Sequence, residues 1–185
     1  MKEAALKLLS ELMKNSHRSD RELAKATGLS QPTVSRIRAR LEKERYISEY
    51  TVIPDFEKLG YEIAAMTFVK LKRTIVSPEQ IEEARRSARE KLKNSHFAII
   101  MLERGLGIEY DAVLIALYKN YTEYVEHMKE LGSYEFLETF AIESFIINLK
   151  DPVHYRPLTF KKLAEHMLTI KKPVNEQAQS TPSMR

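Results

Sequence analysis

A short polar turn between two helix-forming runs constrains this chain more than any other feature. The stretch DRELAKATGLSQPTVSRIRARLEKERYI fills residues 20–47 and contains one glycine. An S-x-x-E capping box that starts at Ser19 begins the first helix, and Gly28 ends it, because glycine adopts a left-handed conformation without steric cost. Ser30 is placed to cap the next helix, and Pro32 lies in that helix's first turn, where a missing N–H costs nothing.

The spacing of small and apolar residues predicts how these helices pack. Ala24 precedes Gly28 by four residues, and Val34 and Ile37 follow it by six and nine. A small residue at the helix contact, a glycine in the turn and apolar residues that dock the second helix are typical of a helix-turn-helix. An amphipathic helix is predicted before it, over residues 3–14. The second helix of such a motif enters the DNA major groove with its N-terminal residues leading.

The face of this second helix opposite its apolar stripe is polar and basic. Residues 1–50 hold 11 Lys and Arg against 7 Asp and Glu, whereas the rest of the chain holds 19 of each. The whole positive excess therefore lies beside the motif, which favours an anionic partner. A helical bundle with a solvated basic face is the alternative. The residues predicted to contact DNA are Ser30, Gln31, Thr33, Ser35 and Arg36 toward base edges and phosphates, and Arg38, Arg40 and Lys43 toward the backbone.

The segment after the second helix predicts a wing. YISEYTVIP contains strand-forming residues and ends in the turn-forming Pro54. A short hairpin at this place would make residues 1–53 a winged helix-turn-helix domain. Glu49 argues against a strongly basic wing. Residues 54–61 are expected to be a linker.

The pattern changes over residues 62–150 to a βαββαβ order. Strand-like runs at 62–72, 96–103, 110–119 and 137–149 alternate with helices that begin after Ser77 and Asn120. This order predicts an α+β protein whose second domain is ferredoxin-like. The strands carry apolar residues on both faces, and one helical layer covers only one of them. We therefore expect sheet-on-sheet packing in a homodimer, unless residues 151–170 fold back over the sheet.

Two C-terminal segments complete the chain. A helical extension capped by Thr159 is expected within residues 151–170. Residues 171–185 are polar and are expected to be disordered.

Residues 3–150 resemble the Lrp/AsnC (feast/famine) family of transcriptional regulators. The stretches ELAKATGLSQPTVSRIRARLEKERYISEYTVIPDFEKLG and GIEYDAVLIAL carry the resemblance. It implies sequence-specific binding of double-stranded DNA at a pseudo-palindromic site, through the recognition-helix residues named above. It also implies a RAM- or ACT-like second domain that dimerises, assembles further into tetramers or octamers, and binds a small effector such as an amino acid.

The same resemblance implies an effector site around the middle turn of the second domain. Its candidate residues are Gly105, Gly107, Tyr110, Asp111 and Thr139. Family members tend to have an aspartate three residues after a glycine here, whereas in this chain it comes four residues after Gly107. They also often carry two threonines two residues apart in the last strand, and here Ala141 takes the second position. An amino-acid ligand therefore has fewer polar anchors.

The sequence leaves two other functions open. Tetrapyrrole decarboxylases of the siroheme type resemble the same two-domain layout, and His96 and Arg104 keep that alternative open, although the chain lacks tryptophan. A metal-responsive regulator would need the histidines, but none are spaced i, i+4, and scattered surface histidines are the favoured interpretation. The histidines are His17, His96, His127, His154 and His166. No cofactor, metal site or catalytic residue is predicted.

Other features of the sequence indicate where in the cell the protein is expected. The chain has no cysteine, no apolar run of about 20 residues and no cleavable signal pattern. A non-enzymatic cytoplasmic protein without a membrane segment is expected.

Overall fold

The computed structural model describes residues 2–75, 77–105, 107, 109–153 and 158–169. The side chains of Thr139 and Phe140 are outside this description. The chain divides into two compact units, Met1–Ile53 with Tyr155–Arg185, and Pro54–His154. The elements of the described part are α1 Glu3–Lys14, α2 Asp20–Thr27, α3 Gln31–Lys43, β1 Ile63–Leu71, α4 Pro78–Asn94, β2 Ala98–Arg104, β3 Ala112–Tyr118, α5 Tyr121–Gly132, β4 Leu137–Asn148 and α6 Lys161–Thr169.

The first unit is built on the apolar stripes of its first three helices. One residue set from all three helices is buried together, as the spacing predicted. Its members are Ala5, Leu8, Leu12, Leu23, Val34, Ile37 and Leu41. This common core fixes the angle at which α3 leaves the turn, so the opposite face of α3 remains at the surface.

The predicted C-terminal helix belongs to this first unit. The Thr159 hydroxyl accepts a hydrogen bond from the Lys161 N–H at 3.2 Å, so this side chain acts at the start of α6. The helix packs on α1, where the buried Ser10 hydroxyl donates to the Ala164 carbonyl at 2.9 Å. Residues 161–169 thus pack on the outer side of α1, within the first unit. The predicted disordered tail, 171–185, lies outside the described residues.

The prediction of a wing hairpin is wrong, because its strands do not form. Among the described residues from 44 to 62, no strand forms, and the segment after α3 runs without sheet partners. The physical reason lies after Pro54, where the Leu59 N–H donates to the Asp55 carbonyl at 3.2 Å in a helical turn, so no second strand is available for pairing. An unpaired strand gains no ladder hydrogen bonds.

The second unit is a ferredoxin-like βαββαβ fold, as predicted. Its four strands form an antiparallel sheet in the order β2-β3-β1-β4. Capping boxes or caps begin both helices: Ser77 with Gln80 begins α4, and the Asn120 side chain accepts from the Glu123 N–H at 2.9 Å to begin α5. Because side chains alternate along a strand, each strand offers one face to these helices.

The two faces of the sheet differ in whether helices pack against them. On the helix side, Thr67 is buried at the centre and its hydroxyl lies 2.9 Å from that of Ser144. On the other side, Met66 pairs with Phe145, and Ala64 with Ile147. Phe145 is 66% exposed and Ile147 46% exposed. We call the residues on this side the open face, and no described helix of the second unit covers its apolar surface.

Candidate nucleic-acid interface

The turn before α3 has the predicted geometry. Ser19 accepts from the Glu22 N–H, and the Glu22 carboxylate accepts from the Ser19 N–H at 2.8 Å, which completes the capping box. Gly28 ends α2 with φ of 73°, and its N–H donates to the Ala24 carbonyl at 3.0 Å. A side chain at this φ would be strained, so the glycine is required by the turn.

Ser30 occupies the N-cap position of α3 but does not cap it in the predicted way. Its hydroxyl lies 2.8 Å from the Thr33 hydroxyl and accepts no backbone N–H. A capping oxygen normally accepts from the second or third helical N–H; the second residue is Pro32, which has none, and the Ser30 hydroxyl bonds to the hydroxyl of the third, Thr33, instead of its N–H. The two hydroxyls therefore form an exposed pair at the leading end of the recognition helix.

The residues predicted to read DNA lie on the surface of α3. Val34, Ile37 and Leu41 are buried, which directs the opposite side of the helix outward. Exposed on that side are Ser30, Gln31, Ser35, Arg36 and Lys43, and half-buried are Thr33 and Arg40. The helix therefore presents hydroxyl, amide and guanidinium groups together, which is the chemistry that base edges and phosphates accept.

Arg38 differs from the other basic residues of α3. Its guanidinium lies 2.8 Å from the Asp20 carboxylate and donates to the Arg18 carbonyl at 3.3 Å. Both side chains of this ion pair are about three-quarters buried. The pair ties α3 to the start of α2, so Arg38 positions the recognition helix. Its predicted phosphate contact stays a prediction.

The segment after α3 is held against the helix. Arg45 adopts φ of 57°, which turns the chain so that the Tyr46 N–H donates to the Leu41 carbonyl at 2.9 Å. Further along, the Tyr50 hydroxyl donates to the Glu42 carboxylate at 2.7 Å. Burial raises the pKa of Tyr50 to about 12, and the bond to Glu42 adds to the shift. The hydroxyl thus remains a donor at neutral pH.

The candidate effector residues lie at the turn between β2 and β3. The Asp111 carboxylate accepts from the Leu71 N–H at 2.8 Å, and its carbonyl accepts from the Gly105 N–H at 3.1 Å. Gly107 has φ of 120°, which confirms that the turn needs a glycine there. Asp111 therefore joins the end of β1 to the start of β3. The structure brings Gly105 and Asp111 together, and Thr139 has no described side chain.

Tyr110 lies beside this turn on the sheet. Its ring is 5.7 Å from the ring of Phe68, measured between centroids. Desolvation raises the pKa of Tyr110, and a hydrogen bond to Glu143 adds to this. Its hydroxyl is therefore a neutral group near the edge of the open face. Whether any of these residues binds an effector stays a prediction.

A histidine in the second unit was missed by sequence reasoning. His127 is not at the surface but 1% exposed. Its Nδ1 lies 2.7 Å from the Tyr118 hydroxyl, and its ring stacks on Phe97 at 4.1 Å. Burial lowers its pKa to about 4, so the imidazole is neutral at physiological pH. The signal was available in the helical spacing of Tyr124, His127 and Leu131, which places all three on the inner side of α5.

The other described histidines are exposed, as predicted for scattered surface residues. His17, His96 and His166 are at the surface, and His154 lies outside the described residues. Within the described ranges, no three His, Asp or Glu side chains are grouped so that they could hold a metal ion. None of the helices in the same ranges has the length and apolar character that crossing a bilayer requires.

The two residues that kept the decarboxylase alternative open do not share a site. His96 is exposed, and its ring lies 4.0 Å from the ring of Phe97, tilted by 37°. Arg104 lines a cavity between α4 and the sheet, and His96 is not among the described residues that line it. His96 and Arg104 therefore do not line a common cavity among the described residues.

Comparison with known proteins agrees with this geometry. A family described as winged helix-turn-helix DNA-binding matches residues 1–48. An uncharacterised HTH-type transcriptional regulator of Pyrococcus furiosus is 33% identical over 107 residues, which span 58% of this chain and 66% of that protein. Relatives of this chain are thus described as regulators rather than enzymes.

Solved structures show the same two-domain fold. A transcriptional regulator of Neisseria meningitidis, in complex with L-Met, is 18% identical with a TM-score of 0.69, covering 88% of this chain and 99% of that one. An AsnC family transcriptional regulator from Agrobacterium tumefaciens is 16% identical with a TM-score of 0.68, covering 88% and 99%. The expected two-domain fold, a domain of the winged helix-turn-helix type followed by a ferredoxin-like domain, is confirmed, although the described residues 44–62 form no wing strands.

Proposed function

We propose that this chain, a winged helix-turn-helix DNA-binding protein with the two-domain fold of the Lrp/AsnC transcriptional regulators, regulates transcription by binding a pseudo-palindromic DNA site as a homodimer. The exposed polar and basic face of α3 carries the proposal. It acts as a regulator and not as an enzyme, in the cytoplasm, where the DNA is.

The proposed DNA contacts follow from the side chains of α3. Gln31, Thr33, Ser35 and Arg36 read base edges, because they lie along the leading half of the helix. Arg36 is the best candidate for specificity, since a guanidinium donates two parallel bonds to the O6 and N7 of a guanine. Ser30, Arg40 and Lys43 contact phosphates and supply the salt-dependent part of the affinity. Arg38 contacts a phosphate only through the guanidinium N–H groups that the Asp20 carboxylate does not engage.

The open face supports a homodimer. Its exposed apolar residues include Met66, Met101, Phe145 and Ile147. A second copy of the sheet would bury the same surface on both chains, as a two-fold interface requires. A dimer presents two recognition helices, which fit half-sites about 34 Å apart on one side of the duplex. Tetramers or octamers would extend this assembly.

An effector at the turn between β2 and β3 is the second part of the proposal. L-Met is the molecule named with the Neisseria regulator. Here a small amino acid would meet Gly105, Gly107, Tyr110, Asp111 and Thr139. One Asp111 oxygen already accepts from the Leu71 N–H, so its second oxygen would take the ammonium group. The effector would act by favouring one assembly over another.

Selection from a random double-stranded DNA pool tests the proposal. The full chain should enrich an inverted repeat with half-sites one helical turn apart. Arg36→Ala should lose about 5- to 150-fold in affinity for that repeat, because each bidentate base contact contributes about 1–3 kcal/mol. The fold should persist, since the side chain is exposed.

A matched control isolates the recognition helix. Arg86→Ala removes an exposed arginine from α4, outside α3, and should leave the enriched repeat and its affinity unchanged. Enrichment of no sequence, or equal affinities of the Arg36→Ala and parent chains, would reduce α3 to a solvated basic surface.

A further inference from the structure

The second unit contains a cavity that shares Asp111 with the effector turn but extends well beyond that turn. It lies between α4 and the sheet and has a volume of about 510 Å³. One apolar stripe of α4 lines it, through Ile81, Ala84, Ala88 and Leu92. Only Ala84 of these four is fully buried. The stripe therefore faces the sheet without packing tightly against it.

A space of this size shows that the apolar stripe of α4 is not closely packed on the sheet. Protein interiors are close-packed and leave few voids larger than one water molecule. An apolar cavity of about 150 Å³ is enough to take up benzene, and ligand sites in proteins span about 300–1,000 Å³. The opposite wall is apolar too, with Val69, Leu102 and Leu114 from three strands. The cavity is therefore suited to the body of an apolar or amphipathic molecule.

The charged residues around the cavity define the ligand further. Four basic side chains and two acidic ones line it. The basic residues are Arg85, Arg89, Lys91 and Arg104. Of the acidic pair, Asp111 already accepts a hydrogen bond from the Leu71 N–H. The balance favours an anionic group on the ligand over an ammonium group.

The basic residues differ in how far they are engaged. Arg85 and Arg89 pair with the exposed Glu82 at 3.1 Å and 3.4 Å. The Lys91 ammonium lies 4.0 Å from the centre of the Tyr134 ring and so bridges α4 to the segment after α5. Among the residues that the structure describes, none forms an ion pair or hydrogen bond with the Arg104 guanidinium. Arg104 is thus available to a carboxylate at the end of β2.

His127 adds one polar atom to the apolar wall. The residue is 1% exposed and lines the cavity. Its Nδ1 is engaged by the Tyr118 hydroxyl at 2.7 Å, and its Nε2 has no hydrogen-bond partner in the described part of the chain. When the tyrosine donates to Nδ1, Nε2 carries the proton and can donate to a ligand oxygen.

We propose that the cavity beneath α4 binds an amphipathic carboxylate, with its apolar body between α4 and the sheet and its carboxylate at the cationic rim that includes Arg104. A medium-chain fatty acid is the chemical class that fits best. This site goes beyond the proposed DNA-binding function and does not depend on it. An amino acid fits this cavity less well, because its ammonium group would face four basic side chains and only two acidic ones.

Calorimetry with three probes of equal chain length tests the ligand class. Decanoate should bind the full chain with one molecule per chain and raise its melting temperature. Decanol should bind at least about tenfold more weakly, because it lacks the charge that the arginines recognise. Decyltrimethylammonium should not bind. Equal affinities for decanoate and decanol, or no binding of decanoate, would overturn the proposal.

Variants locate the site. Ala88→Phe should fill the cavity and abolish decanoate binding while the circular dichroism spectrum stays native. If the phenylalanine prevents folding, Ala84→Leu is the smaller cavity-filling variant, with the same expected loss of binding. Arg104→Gln should weaken decanoate about tenfold and leave decanol unchanged. Arg86→Gln, exposed on the same helix and outside the cavity, is the matched control. Decanoate affinity that is unchanged in both filling variants would contradict the assignment.

Discussion

At the scale of single residues, the buried imidazole of His127 makes stability depend on pH. Burial lowers its pKa from 6.5 to about 4, so the folded state holds it neutral. A depressed pKa stabilises the fold above pH 6.5, and this stability is lost as pH falls through 6.5 toward 4, because the unfolded chain then binds a proton that the folded chain does not. The full loss would be about 3 kcal/mol.

The pH dependence of urea unfolding checks this prediction. The parent chain should lose stability steadily between pH 6.5 and pH 4.5. His127→Phe keeps an aromatic ring beside Phe97 but cannot titrate, so its stability should vary less over the same interval. Parallel curves for the two proteins would show that another group carries the dependence.

Asp111 is a second residue whose structural and functional roles can be separated. Its carboxylate accepts from the Leu71 N–H at 2.8 Å. Asp111→Ala leaves that donor without its partner and should reduce the free energy of unfolding by about 1 kcal/mol. Asp111→Asn keeps an oxygen acceptor and should lose less, as measured by denaturant midpoints. If Asp111 also holds an effector's ammonium group, Asp111→Asn should remove the effector response while the fold persists.

At the scale of secondary structure elements, α6 completes the DNA-binding unit. Helix α1 is apolar on two sides: one side enters the common core, and the other places Leu6 and Ser10 in buried positions. The Ser10 hydroxyl bonds to the Ala164 carbonyl of α6 at 2.9 Å. Removing α6 would expose this second side, and burying one leucine contributes about 2 kcal/mol.

Truncation tests the role of α6. A chain that ends at residue 153 should lose hydrogen-exchange protection throughout α1, because both the apolar cover and the buried hydrogen bond are gone. A chain that ends at residue 170 keeps α6 and should retain the protection of the parent. Equal protection in both truncated chains would show that α6 packs on α1 without stabilising it.

The sequence predicted these elements better than their partners. Capping residues at Ser19, Ser77 and Asn120 located helix starts because a cap is a local hydrogen bond. The partner of α6 was not predictable, since an apolar stripe shows that a helix is covered but not by what. The wing hairpin failed for a related reason: strand propensity indicates an extended chain, whereas a strand needs a neighbour to pair with.

In the candidate site, too, the sequence predicted the local features but not the contacts between distant residues. The exposed side of α3 followed from its apolar spacing, which fixes both faces of a helix at once. The ion pair of Arg38 with Asp20 joins side chains 18 positions apart, and no local pattern encodes such a contact. The cavity beneath α4 arises from the fit between a helix and a sheet, which composition does not reveal.

At the scale of the whole molecule, the open face is expected to determine assembly. Phe145 is its most exposed large apolar side chain in the described part, at 66%, and stands opposite Met66 on the neighbouring strand. Phe145→Arg would bury a charge without a partner in a sheet-on-sheet interface. Such a charge costs several kcal/mol, so the dimer dissociation constant should rise at least 100-fold.

Analytical ultracentrifugation of the full chain measures this change, with Leu59→Glu as the control because Leu59 is exposed and apolar but outside the sheet. Phe145→Arg should sediment as a monomer with native circular dichroism.

The affinity of Phe145→Arg for the enriched inverted repeat should fall by about 10²–10⁴, since linked recognition helices bind the second half-site at a high effective concentration. Binding to a single half-site should remain, because α3 belongs to the first unit and its core does not include the sheet. A dimeric Phe145→Arg chain would place the interface elsewhere, and the apolar residues of the open face would then need another cover.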